Sequence, residues 1–362
     1  MLRARTAVQT MPVYHPPLAD REGLRFDFNE NTNGCSPRVL DRLRSLDAER
    51  LARYPERGLV EKDVAGFLRV DPEEVLLTNG VDEAIHLLCT TYLEPGDQAV
   101  IVVPTYSMYR VYAMATGAQV VCVPSGGNFQ FPFTAVIDAI SQRTRLIAIA
   151  NPNNPTGMVA SEDDLLQVAR SARDAAILID EAYFEFYGQT MLHARREAPN
   201  LFVARTFSKA YGMAGLRAGV LIGDAGQMKS LRRAASPYNV NAVALACLPE
   251  AQLDQEYVRG YVAEVLESRL RLERALLDSG IQFWPSHANF LLIRVGASGD
   301  QAVRFVEEMR RRGILVRDRS ADPECNGCVR ITLGLRKQTD LLLGAIQEAF
   351  EELGTTRGAS LS

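Results

Sequence analysis

Seven short apolar runs, each followed by a stretch with helical spacing, constrain the fold of this 362-residue chain more than any other feature. The runs are EVLLT (74–78), QAVIVVP (98–104), AQVVCVP (118–124), RLIAIANP (145–152), AAILIDEA (175–182), NLFVART (200–206) and RAGVLIG (217–223). Most are continuous rather than alternating, which is the pattern of strands covered on both faces. Intervening segments such as DEAIHLLCTTYL, YSMYRVYAMATG and SEDDLLQVARSA repeat apolar residues at helical intervals. The alternation predicts an α/β fold built on a mostly parallel, doubly wound, seven-stranded sheet. Near residue 240 the pattern changes to a long helical stretch, followed by IQFWPSHANFLLIRV, a helix, two short strands and a closing helix. A chain of this length exceeds what one core ordinarily serves. The expected division is therefore an N-terminal arm (1–26), a large domain (27–240) and a smaller α+β domain (241–362).

Composition narrows the function classes. Apolar residues make up 47% and charged residues 23%, with a net charge of −4. That balance suits a soluble globular protein and argues against a nucleic-acid partner, which calls for a basic face. No apolar run approaches the ~18–20 residues of a membrane span. The opening MLRARTAVQTMPVYHPP also lacks the apolar core of a signal peptide, so the expected location is the cytoplasm. Six cysteines are too few for a disulfide framework. The C-x-x-C pair Cys325–Cys328 has no second pair of ligands, so it reads as a turn and no metal is expected.

In open α/β sheets, ligands bind beyond the carboxyl ends of the strands. There the first run leads into TNGVDEAI, a glycine before a helix start whose free N–H groups suit an anion. The second leads to Tyr106, which offers a flat face, and the fourth to Asn154 in NPNNPTG. The fifth ends in Asp180 after five apolar residues, with Tyr183 one helical turn on. A carboxylate so placed needs a cation or hydrogen bonds. The sixth ends in Thr206, Ser208 and Lys209. Lysine is scarce, four among forty basic residues, and only lysine can lose its proton and attack a carbonyl. Together these groups ask for a ligand with a phosphate, a protonated ring nitrogen, a flat ring with a phenolic oxygen, and an aldehyde. Pyridoxal 5'-phosphate has each part.

The chain resembles the fold-type-I pyridoxal-phosphate aminotransferases, most closely the histidinol-phosphate aminotransferases. The likeness is carried in order by NEN (29–31), RYPE (53–56), TNGVDEAI, PTYSMY, NPNNPTG, IDEAYFEF, TFSKAYGMAGLRAG, SPYNVN, SHANFLL, GILVRD and CVRITLG. The resemblance implies that Lys209 forms the Schiff base with the cofactor and then shuttles the substrate proton. Asp180 would keep the ring nitrogen protonated, Tyr183 and Asn154 would bond the phenolic oxygen, and Tyr106 would stack on the ring. The phosphate would take the N–H groups of Val81 and Asp82 with Thr206, Ser208 and Arg217. Tyr54 would reach the phosphate of a neighbouring subunit, which implies a homodimer with shared sites. Arg330 would grip a substrate α-carboxylate, and Arg317, helped by Tyr14, a substrate phosphate.

The implied reaction moves an amino group between L-histidinol phosphate and 2-oxoglutarate in ping-pong order. Related chemistries share the scaffold: an aromatic amino-acid aminotransferase, a threonine-phosphate decarboxylase or an arginine-directed enzyme. A non-catalytic cofactor-binding regulator is a third class, disfavoured because Lys209 is present and the arm is too short for a helix-turn-helix. Two departures concern the substrate side. Thr32–Asn33 replaces the Pro-Tyr usual in the family, and Arg336 adds a charge that reads as a helix-flank residue.

Overall fold

The computed structural model describes residues 2–13 and 22–354. A two-residue strand, β1 (Leu24–Arg25), precedes seven strands that coincide with the apolar runs. They are β2 (Val75–Thr78), β3 (Gln98–Val103), β4 (Gln119–Pro124), β5 (Thr144–Ala150), β6 (Ala176–Asp180), β7 (Leu201–Thr206) and β8 (Gly219–Ile222). They form one sheet in the order β2-β8-β7-β6-β5-β3-β4. β8 runs antiparallel to both neighbours and the other adjacent pairs are parallel.

The continuous apolar runs follow from burial on both faces. Along β6, Ile177 and Ile179 enter one apolar core while Leu178 enters another. β2 and β7 divide in the same way, Leu77 and Val203 on one side, Leu76 and Phe202 on the other. Successive strand side chains point to opposite faces, so strands covered on both sides, such as β2, β6 and β7, have no position for a solvated residue, whereas the edge strand β4 keeps exposed residues. The helix Gly80–Tyr92 covers one face through Val81, Ala84, Ile85 and Leu88. The helix Glu162–Ser171 covers the other through Leu165, Val168 and Ala169. Its start is fixed by Ser161, whose Oγ accepts from the Asp164 N–H at 3.1 Å.

Five more strands follow: β9 (Phe283–Trp284), β10 (Phe290–Arg294), β11 (Ile314–Leu315), β12 (Arg317–Asp318) and β13 (Cys328–Thr332). Four of them make an antiparallel sheet in the order β12-β13-β10-β9. Leu291, Ile293, Val329 and Ile331 turn one face of it into the core. The other face carries Trp284, Leu292, Cys328 and Arg330. β1 pairs in parallel with β11, and the Thr332 N–H donates to the Phe26 carbonyl at 2.8 Å. The segment after β1 is thereby held between the small sheet and the carboxyl ends of β6 and β7.

Cys325 and Cys328 are free thiols buried beside Phe129, Trp284 and Leu292. No helix among the described residues is long and apolar enough to cross a membrane.

Candidate active site

Lys209 lies in the turn that follows β7. Its Nζ donates to the Phe28 carbonyl at 2.9 Å. Burial lowers its pKa to about 8; the positive charges of Arg330 and Arg217 add to this, and Glu30 and Asp82 oppose it. A desolvated lysine near other cations supplies the neutral, nucleophilic amine near physiological pH. The turn can pack this closely because Gly212 has φ +68, and a Cβ there would stand 2.2 Å from the Gly34 carbonyl oxygen.

One strand over, β6 delivers Asp180. Parallel pairing sets Asp180 beside Ala204 of β7, just short of the lysine turn. Its Oδ2 accepts from the Tyr109 hydroxyl at 2.6 Å and its Oδ1 from the Ala182 N–H at 3.0 Å. Burial raises its pKa to about 6, and the Tyr109 and Ala182 bonds hold it from going higher. A carboxylate with this little solvation is stabilised most by a facing cation. Tyr183, also buried, accepts from Asn29 Nδ2 at 2.9 Å through its hydroxyl. Tyr106 donates to Asp82 Oδ1 at 2.7 Å and sets its ring edge-on to Tyr109, centroids 5.8 Å apart.

The groups expected to hold a phosphate are gathered at the end of β2. The helix Gly80–Tyr92 begins there without a side-chain cap, so its first N–H groups remain available to an anion. Gly80 has φ +74, a conformation that favours glycine, and a Cβ there would lie 2.5 Å from Arg217 Nη2. Arg217 donates to Asp82 Oδ2 at 3.1 Å. Thr206 Oγ1 accepts from the Ser208 N–H at 3.1 Å, while the buried Ser208 Oγ has no partner. An orphaned hydroxyl, an uncapped helix start and a guanidinium are the kinds of group a phosphate completes. The residues present therefore fit pyridoxal 5'-phosphate.

Arg330 reaches the same region from β13. It is buried, donating from Nη1 to Asn154 Oδ1 and from Nη2 to the Asp27 carbonyl, both at 2.5 Å. Burial, with the like charges of Arg319 and Arg317, holds its pKa down to about 9. Arg317 is its direct cross-strand partner on β12 and lies over the Phe28 ring, 5.5 Å from the centroid. Tyr54 is 80% exposed and stacks on Tyr238 with centroids 4.4 Å apart. Tyr14 lies outside the described residues. Arg336 pairs with Glu264 and Glu267, so its charge belongs to two helix flanks. Thr32 and Asn33 are held by Tyr261 and Tyr257 of the long helix Gln255–Asp278.

Sequence reasoning passed over several of these partners. Tyr109 stands in PTYSMY three residues after Tyr106, a spacing that shares one helix face, and that was the available signal. The chain from Asp27 to Asn29 supplies two backbone carbonyls and one side-chain amide to Arg330, Lys209 and Tyr183. Backbone acceptors leave no residue-type signature, so nothing in the sequence announced them.

With a half-buried lysine and a buried carboxylate at the strand ends, the chain belongs to the class I and II aminotransferase family, pyridoxal-phosphate enzymes, whose pattern it matches over residues 21–346. Among its relatives, the histidinol-phosphate aminotransferase of Geobacillus sp. (strain WCH70) is 32% identical, covering 97% of this chain and 99% of that one. The enzyme of the same name from Thermococcus gammatolerans is 35% identical over 90% of this chain and 91% of its own. The crystal structure of histidinol-phosphate aminotransferase from Sinorhizobium meliloti in complex with pyridoxal 5'-phosphate superposes with a TM-score of 0.89 at 26% identity. It covers 98% of this chain and 99% of that one.

Proposed function

We propose that this aminotransferase moves the amino group of L-histidinol phosphate to 2-oxoglutarate, in ping-pong order, from one pocket that accepts each substrate in turn. The observation that carries the reading is Arg330 opposite Arg317 on adjacent strands, two cations set to receive an anionic substrate. The pocket also contains the amine of Lys209, whose pKa both Arg330 and Arg217 depress. The relatives of that name support the choice of donor. When bound, pyridoxal 5'-phosphate supplies an aldehyde that captures amines and a ring that draws electrons from the adjacent carbon.

The chain's own residues do the rest. Val81 and Asp82 N–H groups, Thr206, Ser208 and Arg217 hold the cofactor phosphate. Asp180, oriented by Tyr109 and the Ala182 N–H, keeps a proton on the ring nitrogen. Tyr183 and Asn154 bond the phenolic oxygen and Tyr106 covers the ring face. Lys209 Nζ would carry the proton between the substrate Cα and the cofactor C4', in opposite directions in the two half-reactions. Arg330 grips the carboxylate of the oxo acid through paired hydrogen bonds, and Arg317, with Tyr14, meets the phosphate of the amino donor. Tyr54, exposed and stacked on Tyr238, serves the cofactor phosphate of a second copy, so the working unit is a homodimer.

The test is a donor panel on purified holoenzyme, following conversion of bound pyridoxal to pyridoxamine phosphate. A half-reaction with histidinol phosphate at least ~10-fold faster than with phenylalanine or arginine is expected, about 1.4 kcal/mol of transition-state preference. A faster rate with phenylalanine or arginine would replace this donor with an aromatic or arginine-directed one.

A further inference from the structure

The ribbon that carries Arg317 and Arg330 carries a third arginine that the family motifs do not mark. Alternate residues of a strand share a face, as do direct cross-strand partners. Arg317 faces Arg330 across the β12–β13 ladder, and the Arg319 N–H extends that ladder to the Cys328 carbonyl at 3.0 Å. Arg317, Arg319 and Arg330 therefore project from one face, the face that also holds Leu292 and Trp284. Asp318, between the first two, turns the other way and accepts from the Ser320 N–H and hydroxyl at 2.8 and 2.6 Å.

Like charges placed directly opposite one another destabilise a ribbon, and each guanidinium here has an unmet requirement. Arg317 Nη1, Arg319 Nε and Arg330 Nε are all buried without a hydrogen-bond partner. One carboxylate, Asp322, pairs with Arg319. It lies close enough to respond to all three arginines, and Arg319 is the strongest charged influence on Arg330. Asp27 offsets part of the charge at Arg330. Buried N–H groups left open on three separate guanidiniums are costly unless a ligand meets them. A planar carboxylate presents both of its oxygens to one bidentate arginine. Three guanidiniums side by side on one face match an anion with three outward oxygens arranged tetrahedrally, as in a phosphate monoester.

We propose that Arg319, steadied by Asp322, is a specificity-determining residue that gives the substrate site its preference for a phosphate monoester over a carboxylate. The inference rests on the reading of a phosphorylated amino donor and adds to it the residue that makes the distinction. Asp322 keeps Arg319 on the site side of the ribbon while the pocket lacks an anion, and substrate phosphate then shares that guanidinium.

The experiment compares wild-type holoenzyme with Arg319→Gln and Arg319→Lys. Inorganic phosphate and acetate are titrated separately while the visible absorption of the bound cofactor is followed. Wild type should bind phosphate more tightly than acetate. Arg319→Gln should weaken phosphate at least ~10-fold and acetate less than ~2-fold, with Arg319→Lys retaining most of the preference. The spectrum without added anion should be the same in all three proteins, which shows that the cofactor end is intact. A wild-type preference that survives unchanged in Arg319→Gln, or equal weakening of both anions, overturns the role of Arg319 and leaves the donor reading standing. A wild type that binds phosphate no better than acetate overturns both.

Discussion

The cofactor end and the substrate end of this pocket are built on different terms. At the proposed cofactor end, polar groups other than the Ser208 hydroxyl already have partners within the chain: Asp180 with Tyr109 and Ala182, Tyr183 with Asn29, and Tyr106 and Arg217 with Asp82. At the substrate end, three arginines share one face with open N–H groups. The first arrangement preorganises a site for a resident group that stays bound. The second leaves hydrogen bonds to be completed by substrates that come and go. Satisfied polar networks hold one geometry, whereas unmet charge gives affinity to whichever anion fits.

That contrast can be broken from either side. The largest effect is expected at the substrate end. Arg330→Met removes a buried guanidinium bonded to Asn154 and to the Asp27 carbonyl. Loss of a buried, hydrogen-bonded charge from a binding site costs roughly 2–5 kcal/mol. The kcat/KM for 2-oxoglutarate should therefore fall by roughly 30-fold or more, while the absorption spectrum of the bound cofactor is unchanged. A spectrum altered as strongly as the rate would mean that the two ends are one unit.

A smaller effect, uniform across donors, is expected at the cofactor end from Tyr109→Phe. The Tyr109 hydroxyl stabilises the charged form of Asp180, whose pKa of about 6 is set mainly by burial. Removing that donor raises the Asp180 pKa further. Asp180 is useful as a carboxylate, so cofactor affinity is present above the pKa and is lost as pH falls through it. In Tyr109→Phe the loss should begin at a higher pH, by about one unit for a hydrogen bond to a charged group. Cofactor dissociation constants of the apo-enzyme measured between about pH 5 and 8 would show it, and a shift to lower pH would assign Tyr109 the opposite role.

The two ends also differed in how far the sequence disclosed them. The inner strands were visible as apolar runs because burial on both faces leaves no room for alternation, and the exposed edge strand β4 was visible through its β-branched residues. Asp180, Tyr183, Ser208 and Lys209 could be grouped because each follows a strand, and parallel neighbours bring consecutive strand ends together. The substrate end depends on chain segments far apart: Arg330 meets Asn154 across 176 residues and Asp27 across 303. Such contacts are fixed by the docking of the small sheet, which no local pattern encodes. Arg319 carried no signal for the same reason. Its neighbours in sequence are Asp318 and Ser320, and only the ladder to β13 shows which way it faces.

Lys209 is the residue proposed to bond the cofactor, and the scarcity of lysine makes this directly measurable. Reduction of holoenzyme with borohydride, followed by proteolysis and mass spectrometry, locates the cofactor on one of four lysines: Lys62, Lys209, Lys229 or Lys337. The account predicts the cofactor mass on the peptide containing Lys209 and on no other. Its appearance on Lys62, Lys229 or Lys337, with Lys209 unmodified, would contradict the assignment of the site.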